Sequence, residues 1–122
     1  MDAHLTPEQT AYLRTQHLGR LATVDASSAP QNNPVGFYLD GDEVVIGGLQ
    51  MGATRKFRNV QRNPQVALVV DDLASVNPWR VRGIEIRGTA QALADVDPPL
   101  KGMSREVIRI RPTRIIAWGL DN

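Results

Sequence analysis

The sequence is organised around residues 54–63, which read TRKFRNVQRN and hold four cations and no acid. A glycine-rich run, IGGLQMG, occupies 46–52 just before it, and Pro64 follows it. Because proline disfavours helical geometry in the preceding residue, the segment predicts a helix of about two turns that ends before Pro64. Phe57 and Val60 would form a small apolar stripe on this helix, suited to packing on a sheet.

The charges of this helix fall in unusual places. Arg55 and Lys56 lie in the first turn, where the helix dipole favours anions over cations. A bound phosphate or carboxylate would remove the conflict, because free backbone N–H groups, the hydroxyl of the N-cap Thr54 and both cations would converge on it. The alternative is a solvated basic face without a ligand, and composition alone leaves both open.

Composition indicates a single globular domain. The chain has 122 residues, of which 42% are hydrophobic, and its net charge of +1 does not favour general binding to nucleic acid. It contains no cysteine, which excludes disulfides and thiolate metal sites. No apolar run approaches the roughly 20 residues that span a bilayer, and the first residues lack the pattern of a signal peptide. We therefore expect a soluble, cytoplasmic protein.

Side chains for metal binding or acid–base catalysis are scarce. The two histidines, His4 and His17, lack a spacing that would bring both to one ion, so we expect no metal site. No pair of carboxylates and no serine is placed for acid–base or nucleophilic work, so we predict no catalytic residue of the chain's own. A redox cofactor would then carry any chemistry. Gly47, Gly48 and Gly52 would let the backbone approach that cofactor closely.

The hydrophobic pattern predicts a mainly β fold. Thr6, Pro7 and Gln9 open a first helix, which would continue to about residue 16 or 17 and end at Gly19. Strands are predicted at 20–25, 35–39, 43–47, 66–70, 79–92, 107–111 and 115–118.

Several turns and breaks are expected in this sheet. Asp40-Gly41 is a strong hairpin signal, and residues 71–78 read as a loop. Gly83 lies where the apolar positions change parity and predicts a β-bulge, while Pro112 would separate the last two strands. Most links are short, so the sheet would be mostly antiparallel and would close on itself. We predict a small β-barrel of six or seven strands with two short helices.

The chain resembles the pyridoxamine 5'-phosphate oxidase-like superfamily of split β-barrels in the order of five segments: RLATV at 20–24, PQNNPVGF at 30–37, RKFRN at 55–59, NPQVAL at 63–68 and RGTA at 87–90. Two closing segments, EVIRIRP at 106–112 and IIAWGL at 115–120, resemble its deazaflavin-dependent oxidoreductase branch, the flavin/deazaflavin oxidoreductase B group. The likeness covers nearly the whole chain and depends on order and spacing, with no single sharp motif.

This resemblance implies a homodimer with two cofactor sites at the interface. The phosphate of FMN or of the deazaflavin coenzyme F-420 would lie against the helix that carries Arg55 and Lys56. A tryptophan like Trp79 would reach the site from the partner chain. The residues implied to bind the cofactor are Asn33, Pro34 and Val35 along the ring system, Ile46, Gly47 and Gly48 near the ribityl chain, and Thr54, Arg55, Lys56, Asn59 and Trp79.

The leading hypothesis is an oxidoreductase that uses the reduced deazaflavin coenzyme to transfer a hydride to a conjugated acceptor, such as an enone, a quinone or a tetrapyrrole-like molecule. The cluster of cations favours the deazaflavin, whose anionic tail is longer than that of FMN. Vitamin B6 oxidation is not expected, because the sequence stops at Asn122 without the oxidase's C-terminal arginine and histidine segment. The alternatives are an FMN-binding relative, a cofactor-binding protein without turnover, and a single-stranded nucleic-acid binder. An aromatic content of 5% argues against the last, and we expect no nucleic-acid partner and no membrane span.

Overall fold

The computed structural model describes residues 2–98 and 100–120. Within them, the helices and strands follow in the order α1 Pro7–Arg14, β1 Leu18–Val24, β2 Pro30–Gly36, β3 Tyr38–Asp40, β4 Glu43–Ile46, α2 Arg55–Arg62, β5 Gln65–Ser75, β6 Arg80–Leu93 and β7 Val107–Trp118. A 3-10 turn, Met51–Ala53, precedes α2. Neither α1 nor α2, the helices of the described ranges, has the length and apolar character that crossing a membrane requires.

The seven strands form one antiparallel sheet in the order β2-β1-β5-β6-β7-β4-β3. The sheet curls, and its two edge strands, β2 and β3, are consecutive in the chain and separated only by Phe37. The core lies inside the curl, where Leu68, Ile86 and Ile110 of β5, β6 and β7 are fully buried. The predicted mainly β, split-barrel fold is therefore confirmed.

Helix α1 begins as the sequence predicts but ends earlier. The Thr6 hydroxyl accepts a hydrogen bond from the Gln9 N–H, and the Gln9 side chain accepts one from the Thr6 N–H, which completes a capping box. The helix stops at Arg14, so the predicted end at Gly19 is wrong. Gly19 lies in β1, where an added Cβ would come within 2.9 Å of the Leu68 side chain. This glycine is explained by close packing between strands.

Strand β5 is longer than the sequence predicts. It continues to Ser75, so the predicted loop at 71–78 is wrong for its first part. Polar residues can continue the ladder here because they find partners across it. Asp72 lies opposite Arg82, and the two side chains form an ion pair.

The outer ends of β5 and β6 form a two-stranded hairpin, residues 71–82, which we call the arm. β1 pairs with β5 only as far as Val69, and β7 pairs with β6 only from Gly83 onward, so neither strand of the arm has a second neighbour among the described residues. The arm exposes four apolar side chains, those of Leu73, Val76, Trp79 and Val81.

Gly83 does not form a bulge. It keeps its register with both neighbouring strands, opposite Asp71 and Trp118, so the predicted irregularity is wrong. The apolar residues of β6 change from an odd position to even positions at Gly83 because Val81 is an exposed residue of the arm, whereas Ile84 and Ile86 are buried in the core. A Cβ at Gly83 would lie 2.6 Å from the Trp118 ring, so glycine lets the indole cover the strand.

Strand β7 runs through its proline. Val107–Trp118 form one strand, so the predicted separation at Pro112 is wrong. Arg87 pairs with Arg114 while Gly88 pairs with Pro112, which leaves Thr113 as the extra residue of a bulge. Proline has no backbone N–H to donate to the ladder, and a bulge is a place in a strand where that missing donor is tolerated.

Candidate cofactor-binding site

A cleft lies where the first turn of α2 meets the edge strand β2. Its volume is about 470 Å³, and its lining residues are Gln31, Asn32, Asn33, Arg55 and Lys56. Three residues of the predicted set, Asn33, Arg55 and Lys56, are thus brought together. Gln31 and Asn32 belong to a segment that carries the family resemblance but are absent from the predicted set, although their amide side chains suit a polar ligand.

Thr54 caps α2 and leaves the N–H groups of its first turn available. Its hydroxyl accepts from the N–H of Phe57 at 3.3 Å and donates to the carbonyl of Met51 at 2.7 Å. The N–H groups of Arg55 and Lys56 have no backbone partner within the described part of the chain, as expected at a helix start. The Thr54 proton is therefore already used, and the donors open to an anion are the backbone and side chains of Arg55 and Lys56.

The two cations of the cleft lack acidic partners. Over residues 2–98 and 100–120, neither Arg55 nor Lys56 forms an ion pair. Arg58, one turn later, donates to the carbonyl of Ala53 at 3.2 Å. Unpaired cations next to open N–H groups create a positive potential. This arrangement suits a phosphate or carboxylate.

Asn59 lies behind the cleft. Its side chain is buried, and its amide nitrogen donates to the hydroxyl of Thr23 at 3.0 Å and to Oε1 of Gln31 at 2.8 Å. Both hydrogens of that amide are thus engaged. The predicted cofactor residue Asn59 therefore fixes Gln31, a lining residue, relative to α2.

The predicted ring-binding residues lie on an open edge. β2 pairs with β1, and its other side has no strand beside it in the described structure. Asn33 and Pro34 are exposed there, while the Val35 side chain is 5% exposed and packs in the core. A planar ring could contact the first two residues and the backbone of the third.

The predicted ribityl segment is held by a later loop. Ser104 donates to the carbonyl of Gly48 from its backbone N–H at 2.9 Å and from its hydroxyl at 3.1 Å. The same hydroxyl accepts from the N–H of Met51 at 3.1 Å. Ile46 is fully buried, so a ligand would face its backbone at most, whereas Gly47 and Gly48 are partly exposed.

Trp79 lies at the tip of the arm and is 68% exposed. Strand β5 runs from Gln65, just after α2, to Ser75. The strand registers put Pro34 of β2 level with Val69 of β5, so at about 3.3 Å per residue Ser75 lies roughly 20 Å further along the strand. A contact between Trp79 and a ligand in the cleft would therefore require a second copy of the chain.

The arm is fastened to α1 by three side chains. The Tyr12 hydroxyl donates to Asp72 at 2.9 Å, and Arg82 donates to both oxygens of the same carboxylate at 2.7 and 3.0 Å. The Arg82 guanidinium also lies 5.2 Å from the centre of the Tyr12 ring. Burial, followed by the hydrogen bond to Asp72, raises the pKa of Tyr12, whereas the hydrogen bond from Arg82 lowers the pKa of Asp72.

Residues 5–119 match the family profile described as pyridoxamine 5'-phosphate oxidase. The chain belongs to this family. The resemblance seen in the sequence is therefore confirmed over almost its whole length.

Two relatives indicate which branch of the pyridoxamine 5'-phosphate oxidase family this chain resembles. It is 46% identical over 124 residues to the 5a,11a-dehydrotetracycline/5a,11a-dehydrooxytetracycline reductase of Streptomyces rimosus subsp. rimosus, an alignment that covers 95% of this chain and 84% of that protein. A solved structure named F420 Reductase is 27% identical, with a TM-score of 0.65, over 83% of this chain and 90% of that one. The predicted oxidoreductase of the deazaflavin-related branch is confirmed by these relatives.

A third comparison shows the fold alone. A conserved hypothetical protein from Mycobacterium tuberculosis superposes with a TM-score of 0.76 at 15% identity, over 98% of this chain and 88% of that one.

The cleft fits the flavin-type cofactors that the pyridoxamine 5'-phosphate oxidase family suggests. Its lining offers two cations, two open N–H groups and no carboxylate, which is the donor set that a phosphorylated tail requires. A flavin or deazaflavin therefore fits the chemistry of the residues present.

Proposed function

We propose that this protein is a homodimeric reductase that uses the deazaflavin coenzyme and reduces a conjugated, multi-ring acceptor. The observation that carries the proposal is the cleft in which Arg55 and Lys56, without acidic partners in the described ranges, flank the open N–H groups of α2. An anionic tail would satisfy these donors together, and this offsets the unfavourable position of two cations at a helix start.

Five residues have separate roles in binding the anionic end of the coenzyme. Arg55 and Lys56 bind the phosphate with their side chains and backbone N–H groups. Thr54 holds the helix start by its two hydrogen bonds. Asn59 positions Gln31, which forms the strand side of the cleft.

The ring end lies along the open edge of β2. Asn33, Pro34 and the backbone of Val35 contact the ring system, and Gly47 and Gly48 allow the ribityl chain to approach the backbone. When bound in its reduced form, the deazaflavin supplies a hydride, and the acceptor gains that hydride and one proton. The chain's residues bind and orient, and water supplies the proton, since no committed acid is predicted.

The relatives support both the cofactor and the acceptor class. The Streptomyces relative is named as a reductase of a dehydrotetracycline, which suggests a conjugated acceptor of several fused rings for this chain. The relative named F420 Reductase supports the deazaflavin over FMN. The cations Arg55, Lys56 and Arg58 along one helix suit a longer anionic tail than one phosphate.

The arm supports the homodimer. It exposes Leu73, Val76, Trp79 and Val81 on a hairpin that projects beyond the sheet, and a second copy is a natural cover for such apolar surface. Trp79→Glu should weaken the dimer in sedimentation velocity while the far-ultraviolet circular dichroism stays the same. A variant as dimeric as the unaltered protein would refute this role of the arm.

A titration with the deazaflavin coenzyme, and a parallel one with FMN, tests the cofactor. The readout is the fluorescence of Trp79 and Trp118. Micromolar or tighter quenching by the deazaflavin, with FMN much weaker, is the expected result. The reverse preference would assign the chain to FMN, and failure of both would overturn the proposed function. Tight binding without hydride transfer to any acceptor would indicate a protein that stores the coenzyme.

A further inference from the structure

A second pocket, different in character from the cleft, opens at the bend between β2 and β3. Its volume is about 380 Å³, and its lining residues are His17, Gly36, Phe37, Tyr38, Gly47, Leu100 and Met103. Among these seven only His17 and Tyr38 carry a polar side-chain atom, and no carboxylate, lysine or arginine is present. The pocket is therefore suited to a flat, uncharged ligand with few polar groups.

The pocket adjoins the residues proposed to hold the ring. Gly36 lies three residues along β2 from Asn33 of the cleft, a distance of about 10 Å. Gly47 belongs both to the pocket lining and to the segment proposed to face the ribityl chain. Met103 packs directly on this glycine, since an added Cβ at Gly47 would lie 2.6 Å from the Met103 methyl group.

Two apolar side chains of the pocket are left in contact with solvent. Leu100 is 69% exposed and Tyr38 is 36% exposed. A ligand that covers them would gain from the burial of apolar surface. The hydroxyl of Tyr38 and the ring of His17 have no hydrogen bond among the described residues, so both can pair with a carbonyl oxygen.

We infer that this pocket is the acceptor site, and that it selects uncharged, flat, conjugated ring systems that carry a carbonyl group. The inference rests on the proposed function, because the acceptor must lie beside the ring that reduces it. Phe37, Leu100 and Met103 form the apolar walls, and His17 and Tyr38 are the specificity-determining residues for the carbonyl oxygen.

The test compares Leu100→Ala with Leu49→Ala. Leu49 is 75% exposed and lies outside the pocket lining, so it is a matched control for loss of an exposed leucine. The probes are menadione, an uncharged bicyclic quinone, and 2-cyclohexen-1-one, a single-ring enone. The measurements are KM for each probe with the reduced deazaflavin coenzyme, and the Kd of the coenzyme from tryptophan fluorescence.

Leu100→Ala should raise the KM for menadione about tenfold, as loss of apolar contact in a pocket does. The same variant should change the KM for cyclohexenone much less and leave the coenzyme Kd unchanged, and Leu49→Ala should change none of these values. Equal menadione KM values in both variants would overturn the acceptor site. A rise in the coenzyme Kd of Leu100→Ala would also overturn it, because the pocket would then hold the coenzyme.

Equilibrium dialysis separates this inference from the proposed function. If the unaltered protein does not bind the coenzyme, the proposed function fails. Menadione that still binds the protein alone, and binds Leu100→Ala more weakly than Leu49→Ala, would support the pocket independently. Menadione that binds all three proteins equally would overturn it.

Discussion

Two groups of cations in this protein differ in their surroundings. On the barrel wall, Arg109 donates to Glu43 at 2.7 Å and to Asp40 at 3.0 Å, so its charge is matched within the chain. At the start of α2, Arg55 and Lys56 have neither an acid nor a backbone carbonyl as partner in the described ranges. Arg109, Arg55 and Lys56 are all cationic, but among the described residues only Arg109 has its charge matched by acids.

The comparison shows that the neighbours of a charge, more than the charge itself, distinguish a structural cation from a binding one. The paired Arg109 of β7 connects this strand to β3 and β4, which are distant from it in the sequence. An unpaired cation at a helix start is unfavourable in the free protein, and a bound anion relieves that cost. Removal of a paired cation should therefore lower the stability of the protein, whereas removal of an unpaired one should lower its affinity for the ligand.

The largest expected effect is on coenzyme binding. Lys56→Ala should weaken binding of the deazaflavin by about 1.5–3 kcal/mol, the value of a charge-assisted hydrogen bond. The free energy of unfolding should change by less than about 0.5 kcal/mol, because no partner in the described structure is lost. The fluorescence titration measures the first and urea unfolding the second.

Arg62→Ala is the matched control for this prediction. Arg62 belongs to the last turn of the same helix, where a cation suits the dipole, and it lies outside the cleft. Equal losses of coenzyme affinity in the two variants would mean that general charge attraction, not a site at the helix start, holds the tail.

The next effect is on stability. Asp72→Asn should lower the free energy of unfolding by about 1–2 kcal/mol, since it weakens the bond from Tyr12 that fastens the arm to α1 and the bonds from Arg82 that join the two strands of the arm. Asp97→Asn is the control, because Asp97 is almost fully exposed and its ion pair is long, at 3.5 Å. Urea midpoints that shift equally in the two variants would contradict the role of Asp72.

The contribution of Asp72 should also depend on pH. Its pKa is lowered in the folded protein by the hydrogen bond from Arg82, so its stabilisation is complete above the unfolded value of about 3.9. It is lost as the pH falls through the lower, folded value. The difference in unfolding free energy between the unaltered protein and Asp72→Asn should therefore shrink from pH 7 to pH 3. A difference that is constant with pH would show that packing, not charge, is responsible.

The smallest effect is expected at the paired arginine of the barrel wall. Arg109→Gln should cost about 0.5–1 kcal/mol of unfolding free energy, because both its partners are partly exposed to water. The coenzyme Kd should not change. A clear loss of coenzyme affinity in this variant would remove the distinction between the two groups of cations.

Local chemistry made the helices predictable. The Thr6 and Thr54 caps, the proline at the start of α1 and the stripe of Phe57 and Val60 depend on residues within one or two turns. Phe57 and Val60 are 4% and 3% exposed, as the pattern predicts. The positions of most strands followed from the hydrophobic pattern, and the family followed from the order and spacing of its segments. The charges in the first turn of α2 predicted an anion site there.

Contacts between distant residues could not be predicted. Asp71 and Asp72 indicate a loop in isolation, but in the fold both are paired with β6, and their side chains form ion pairs with Arg20 and Arg82. In the sequence, His17 is only a histidine at the end of a predicted helix. The fold brings it to the same pocket as Leu100. Asn59 was predicted for the cofactor from the family resemblance, but its bonds to Thr23 and Gln31 depend on the packing of the barrel.

The two-stranded construction of the arm has a consequence for hydrogen exchange. A hairpin without flanking strands opens easily in water, so the backbone amides of the arm should exchange far faster than those of the buried middle of β5. In a dimer covered at this surface, the same amides should become protected as the protein concentration rises, while the amides of Val66 and Leu68 stay protected throughout. Measured by mass spectrometry across a dilution series, that protection reports how often the arm is covered.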